Sequence, residues 1–266
     1  VGATPKNYIK FNNETWRIIG VFNDITTIDE DGNEKEESLI KIIRDESLGE
    51  YSWDTSASSV NDGLGINEWS QADLMTELNN DYINTSKTSG TTTWYDGQNN
   101  TKTTNNYDYS KNIKSAFINK IANVRWNLGG YNTASDSDLN IIYIAERGIL
   151  HISNPSDGVT RTDYWNGKIA LMYLSDYSYA STDTTCRSRL NSTNCKINNW
   201  LHKGTLIWTL SPYSGNTVGV VSVNSEGVII GNRAFQSFSV FPTVFLKSDI
   251  KITGGTGEES NPYQID

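Results

Sequence analysis

Histidine and cysteine are scarce in this chain, and their scarcity removes most catalytic readings at the outset. The two histidines, His151 and His202, lie in the stretches Ile149-Leu150-His151-Ile152 and Trp200-Leu201-His202. Neither neighbours a Ser or Cys motif, so a nucleophile activated by an imidazole base is not expected. The two cysteines, Cys186 and Cys195, lack the histidine partners that a zinc site of that size requires. No metal and no cofactor is expected. Paired-carboxylate hydrolysis leaves no spacing to read, because its two acids need not be close in sequence. The chain is therefore read as a non-enzyme.

Other absences narrow the partners. Lys and Arg are scattered singly in a chain of net charge −9. That lacks the basic stripe that phosphate-backbone binding demands, and anionic headgroups would repel it. No nucleic acid partner is expected. No apolar run approaches the roughly 18 to 20 residues of a spanning helix, so this segment is not expected to insert in a membrane. Only five prolines occur, amid many Asn, Thr and Ser. This predicts long polar loops on a β-rich core. Val1 rather than Met opens the chain, which fits removal of an upstream signal or anchor.

What is present is aromatic. Eight Trp, 14 Tyr and seven Phe mark a folded chain with a polar surface. Cys186 and Cys195, with eight residues between them in a polar stretch, are expected to form a disulfide. Closing that loop would stabilise by about 2–3 kcal/mol and imply an oxidising compartment. A reactive thiol pair is the alternative.

Alternation and turn signals predict a hairpin of Tyr8–Phe11 and Thr15–Phe22 about Asn12-Asn13, then a strand Leu39–Arg44. The acidic segment between them, Asp29 to Glu34, lacks the spacing of a calcium loop and reads as a solvated hairpin tip. Ser70 to Asp73 resembles a capping box opening a helix with Leu74, Met75, Leu78 and Tyr82 on its apolar face. Ile113, Phe117, Ile121 and Val124 fall at helical spacing in a second expected helix. Residues 84–109 read as one long polar loop, in which Trp94 and Tyr95 either pin the loop or stack on a sugar. Lys168–Leu174 reads as a buried strand followed by a short capped helix from Ser175 to Ala180, and Lys196–Leu201 as a helical turn. Further strands are expected at 207–212, 218–223, 228–230 and 240–248. One domain with insertions is expected over residues 1–266.

Several of these segments together resemble an uncharacterised family of cell-surface and phage-associated proteins of gut Firmicutes, a domain of unknown function. They are Trp16-Arg17-Ile18-Ile19-Gly20-Val21, Ile42-Ile43-Arg44-Asp45-Glu46 and Tyr51-Ser52-Trp53-Asp54. Asn67-Glu68-Trp69-Ser70-Gln71-Ala72-Asp73-Leu74-Met75, Trp208-Thr209-Leu210-Ser211-Pro212 and the closing Leu246-Lys247-Ser248-Asp249, with Gly254 to Gly257 and Asn261-Pro262-Tyr263, complete the match. The resemblance implies an α+β, C-type-lectin-like fold of antiparallel sheets, two or three helices and long loop insertions. Leu171 to Ala180 is also similar to the strand-to-helix step of formylglycine-generating-enzyme-like domains. Their copper chemistry needs a closely placed thiol pair, and Cys186 and Cys195 sit in no matching motif. Where the family carries Val-Arg-Pro, this chain has Val240-Phe241-Pro242, so either the core is repacked there or Phe241 faces a binding surface.

In such folds the late strands and loops build the ligand surface. The resemblance thereby implies ligand-binding roles for Tyr213, Asn216, Arg233, Phe235, Gln236, Phe238 and Phe241. Phe235 and Phe238 have two readings, core plugs beneath a loop or an aromatic patch rimmed by Arg233. The expected function is an extracellular, surface-displayed ligand-binding module of a Gram-positive bacterium or phage particle. It would be an adhesin or receptor-binding domain for a host or bacterial surface glycan or protein, and a candidate for diversification by a retroelement. Calcium-dependent sugar binding would fall to Asp136, Asp138 and Glu146, whose spacing is not diagnostic. The alternative is the structural head domain of a pilin-like filament.

Overall fold

A computed structural model describes residues 2–55, 64–97, 103–128, 139–148, 162–187, 193–213 and 217–266. The chain begins with β1 (Tyr8–Phe11), β2 (Glu14–Ile28), β3 (Glu34–Arg44) and β4 (Glu50–Ser52). Helix α1 (Asp73–Thr76) precedes β5 (Thr91–Asp96) and β6 (Thr103–Asp108); α2 (Ser115–Ile118) leads to β7 (Val124–Asn127). Helix α3 (Leu139–Glu146), β8 (Tyr164–Gly167), β9 (Ile169–Ala170) and α4 (Leu174–Ala180) follow. The last third holds β10 (Ile207–Pro212), β11 (Gly219–Val223), β12 (Ile229–Arg233), β13 (Ser237–Ser239) and β14 (Thr243–Phe245). Strands β15 (Ile252–Gly254) and β16 (Gln264–Ile265) close it.

The fold is α+β, with mostly antiparallel sheets and few short helices. A seven-stranded sheet runs β8-β7-β2-β3-β14-β9, with β1 also paired to β2. A five-stranded sheet runs β12-β11-β10-β13-β4, and within it only β10 and β13 pair in parallel. The β1–β2 hairpin forms because Asn12 and Asn13 both take positive φ, 55° and 62°, the geometry a two-residue turn needs to match strand twist. At the tip between β2 and β3, the Asp29 carboxylate accepts the N–H groups of Asp31 and Asn33 at 2.9 and 2.8 Å. These hydrogen bonds, with one from the Asn33 side chain, hold Asp29 below the usual carboxylate range.

Four expectations about local structure change. Residues 84–109 contain a hairpin rather than one loop: β5 pairs with β6, and Trp94 stacks flat on Tyr107 with ring centroids 4.0 Å apart. Thr reads as polar in composition yet is a good strand former, and the two rings give this hairpin a buried face. Trp94 is fully buried and Tyr95 is exposed.

The stripe Ile113, Phe117, Ile121, Val124 faces inward as expected, but not as a helix. Asp108 accepts the Ser110 N–H, Asn112 is extended at ψ 152°, and the Ile113 N–H goes to Tyr82. Only Ser115–Ile118 stays α-helical, and Val124 starts β7.

The capping box at Ser70 is also replaced. Ser70 donates its N–H to the Glu68 carboxylate, and α1 starts three residues later, after Ala72, which has no side chain to cap it. Asp54, from beyond β4, supplies the missing acceptor to the Asp73 N–H at 3.0 Å. The helix continues as a wider turn over Glu77–Asp81, and Leu74, Leu78 and Tyr82 are all buried. Of the strand expected over 168–174, only β9 pairs; α4 then begins as anticipated, with the Tyr173 N–H donated to Asp176 at 2.8 Å.

Two buried clusters fill the interior. The larger gathers Trp16, Trp53, Trp69, Trp94 and Trp126 with strands of both sheets. The smaller contains the disulfide between Cys186 and Cys195, together with Tyr177, Leu201 and Val221.

Glu77 is buried, with one carboxylate oxygen accepting the Tyr95 N–H at 3.2 Å and the other without a partner among the described residues. Desolvation, reinforced by Asp73 and Asp81, pushes it up from 4.5 to about 9. The folded state thus holds a proton that the unfolded state releases, and stability falls as pH rises between those two values. Glu77→Gln is expected to be more stable than the parent by about 1–3 kcal/mol near neutrality, the difference vanishing in acid. Urea titrations across that pH range check this; parallel pH profiles for the two proteins would refute it.

Candidate functional site

Strand β2 carries two irregularities in its ladder with β3. Ile18 pairs with Ile42 and Gly20 with Lys41, which leaves Ile19 as an extra residue; Asn23 and Asp24 together oppose only Ser38. Asp24 takes φ 57° at the second bulge. Bulges bend a strand and re-aim its side chains, and they gather beside functional sites. Between these two lie Val21 and Phe22, and Val21 is 65% exposed, unusual for a large apolar residue in the middle of a long strand.

Helices α3 and α4 pack beside this segment, and two adjoining open cavities of about 450 and 630 Å³ lie there, the first lined by both helices and the second by α3. Val21, Phe22, Tyr143 and Arg147 line both. The first extends to Tyr179 and Trp200, and the second to Asp24, Arg125 and Tyr173.

Arg147 is placed there by the end of α3. Gly148 takes φ 70° and donates its N–H to Ala145, a left-handed helix stop. A Cβ at Gly148 would also lie 2.9 Å from the Asn127 side chain, so the stop is specific for glycine. The guanidinium lies over the Phe22 ring at 4.2 Å and beside Tyr143 at 4.8 Å. Its Nε and Nη2 are buried and have no hydrogen-bond partner among the described residues. Buried donors without acceptors are costly, and they mark a place where an acceptor fits.

Beneath this groove lies a charged cluster. Lys41, in the middle of β3, is fully buried and pairs with Asp176 of α4. Four rings surround its amine: Tyr173 at 4.1 Å, Trp126 at 5.4 Å, Phe245 at 5.5 Å and Phe22 at 5.6 Å. Desolvation outweighs the attraction of Asp176 and brings Lys41 down to about 8. Glu146, the last residue of α3, accepts the Ser175 N–H at 3.3 Å and the Ser211 hydroxyl at 3.1 Å. Burial, opposed by the hydrogen bond from Ser175, brings it up to about 7.

The residues expected to bind ligand fall elsewhere, and three of them lie inside. Phe235, Phe238 and Phe241 are 2%, 6% and 5% exposed. A turn at Arg233–Gln236, closed by the Gln236 side chain accepting the Arg233 N–H at 2.9 Å, sends Phe235 inward. Ser52 fixes that turn by donating to the Phe235 carbonyl at 2.7 Å, and Gly97 passes so close that a Cβ would sit 1.4 Å from the same oxygen. Phe238 packs on Trp208 with ring centroids 4.3 Å apart, and Phe241 belongs to the disulfide cluster. Phe235 and Phe238 are therefore core plugs and not an exposed aromatic patch, and Phe241 is a core residue as well. Arg233 is exposed, while Gln236 and Tyr213 are half-buried.

Asn216, Asp136, Asp138 and His151 lie outside the described residues. Among the described residues no group of three His, Cys, Asp or Glu is placed to hold a metal. His202 faces the Tyr177 hydroxyl at 3.5 Å.

Sequence reasoning missed Arg147 and α3 altogether. The run Ile141-Ile142-Tyr143-Ile144 is β-branched and aromatic, which argues for strand. The available signal was Arg147-Gly148, a cation followed by glycine at a helix end. Comparison with protein-family models, curated proteins and solved structures finds no match.

Proposed function

We propose that this chain is an extracellular ligand-binding module on a C-type-lectin-like scaffold, and that it binds a carboxylate-bearing glycan or protein at the groove between β2 and α3–α4. The observation that carries this reading is Arg147. Its two buried nitrogens, without a hydrogen-bond partner among the described residues, sit where both cavities meet, beside aromatic rings and the exposed Val21. A guanidinium edge presents parallel donors that match a carboxylate, while Phe22 and Tyr143 supply faces for an apolar or sugar surface. The net charge of −9 opposes long-range attraction of an anion, so recognition must be local and made at contact. The disulfide supports the extracellular placement.

The test is a binding screen against acidic and neutral glycans and extracellular proteins, repeated with Arg147→Gln. Ligands are expected to carry a carboxylate, and the substitution is expected to weaken binding by about ten- to a hundredfold, the worth of a charge-assisted hydrogen bond. Equal binding by the variant would refute the site. A blank screen with a folded protein would favour the second reading, the head domain of a pilin-like filament. The observation on that side is the internal bracing of the α4 region by a disulfide and a buried ion pair.

A further inference from the structure

Lys41 and Asp176 are an odd pair to bury. An ammonium has three donors, yet Asp176 is the one hydrogen-bond partner Lys41 has among the described residues, and four aromatic rings occupy the rest of its surroundings. Asp176 likewise is 5% exposed and held in place by the Tyr173 N–H. Taking two charges out of water costs several kcal/mol per ion, and one contact between them does not offset it well. A neutral amide would fit the same space better. It has a single N–H, which can rest on a ring face, and a carbonyl that can keep the bond from Tyr173.

We propose that Lys41 and Asp176 join in an intramolecular isopeptide bond, formed by the protein itself with Glu146 as proton carrier. The inference is independent of the ligand groove. The reaction begins with transfer of one proton from the Lys41 ammonium to the Asp176 carboxylate, which burial favours because it removes both charges. The neutral amine then attacks Cγ of the neutral acid, and the Nζ–Cγ bond forms. The second nitrogen proton passes through the Glu146 carboxyl group to the departing hydroxyl oxygen, the Cγ–O bond breaks, and one water leaves. Glu146 ends as it began, and nothing is oxidised or reduced.

Each requirement has a residue. The dry aromatic surround keeps water from competing with the amine. The Glu146 carboxyl accepts the N–H of Ser175, the neighbour of Asp176, and the charges of Glu146, Lys41, Asp176 and Arg147 act on one another. Burial pushes the Glu146 carboxyl up from the usual carboxylate range, toward the range in which one group can both take and give a proton. The cavity beside Ser175 and Asp176 is an exit for the water. The bond would tie α4 to a central strand of the seven-stranded sheet across 135 residues of sequence.

The test is the intact mass of the purified chain after disulfide reduction and denaturation. The expected mass is one water below the sum of the residues, and a digest should yield a branched peptide joining the segments around Lys41 and Asp176. Lys41→Met should show the full mass for its sequence. Glu146→Gln should close the bond about a hundredfold more slowly or worse, the usual worth of a positioned proton carrier, while circular dichroism reports a folded protein. A parent protein with the full residue mass would overturn the proposal whatever the variants do. So would a water loss that maps to a cyclic imide at an Asp-Gly step such as Asp31-Gly32, which leaves no branch.

Discussion

Replacing Phe235 and Phe238 together by alanine is expected to leave the chain largely unfolded at room temperature. Each ring is nearly fully buried, and a Phe→Ala change in a core costs about 3–5 kcal/mol through lost transfer energy and the cavity left behind. If the two sites act independently the sum is about 6–10 kcal/mol, comparable with the whole stability of an ordinary domain. The Phe235 position is unusually poor at collapsing to fill its cavity. Its backbone is clamped between the Ser52 hydroxyl and the close approach of Gly97, so the turn cannot sink inward to close the gap. At Phe238 the loss uncovers one face of Trp208, and the near-ultraviolet circular dichroism of the tryptophans should collapse together with the far-ultraviolet signal. A double variant that melts like the parent while losing a ligand would return these rings to a binding surface.

The second large effect is expected at Asp54. This residue is fully buried and its two carboxylate oxygens do separate work: Oδ2 accepts the Ile66 N–H at 2.8 Å and Oδ1 the Asp73 N–H at 3.0 Å. It thereby joins the end of the β4 segment to the following loop and to the first turn of α1, where a negative charge also suits the helix dipole. Asp54→Ala removes at least these two hydrogen bonds to a charged group and strands their donors, at a cost of about 3–6 kcal/mol. Asp54→Asn keeps one acceptor but points an NH2 at the other donor, so an intermediate loss is expected. The midpoint of urea unfolding measures both, and an unchanged slope would show that stability rather than compactness has moved. An alanine variant within 1 kcal/mol of the parent would mean that water replaces the carboxylate.

Asp54 also shows why local spacing misplaces the start of α1. Ser70 and Asp73 have the spacing of a capping box, but Glu68 reaches Ser70 first, and the cap for Asp73 comes from a residue 19 positions earlier. Local spacing can signal that a helix begins nearby, not which side chain completes it. The same limit applies at Phe235 and Phe238. An irregular stretch between two strands is compatible with a surface loop or with core plugs, and the burial is decided by Ser52 and Gly97, which are remote in the chain. The hairpin β5–β6 was hidden by composition, since Thr and Asn read as loop until Trp94 and Tyr107 are seen to stack.

By itself the sequence determined the features whose causes are short-range. Alternation and turn chemistry set the β1–β2 hairpin, the acidic tip and most of the last-third strands, and spacing set the disulfide. The tertiary structure alone decided where Arg147 meets Phe22 between the two bulges of β2, and it alone brought Lys41 to Asp176. A periodicity reports which face of an element is apolar, because that face is repeated along the chain. A groove or a buried charge cluster depends on single side chains from distant elements, and single residues carry no repeat to read.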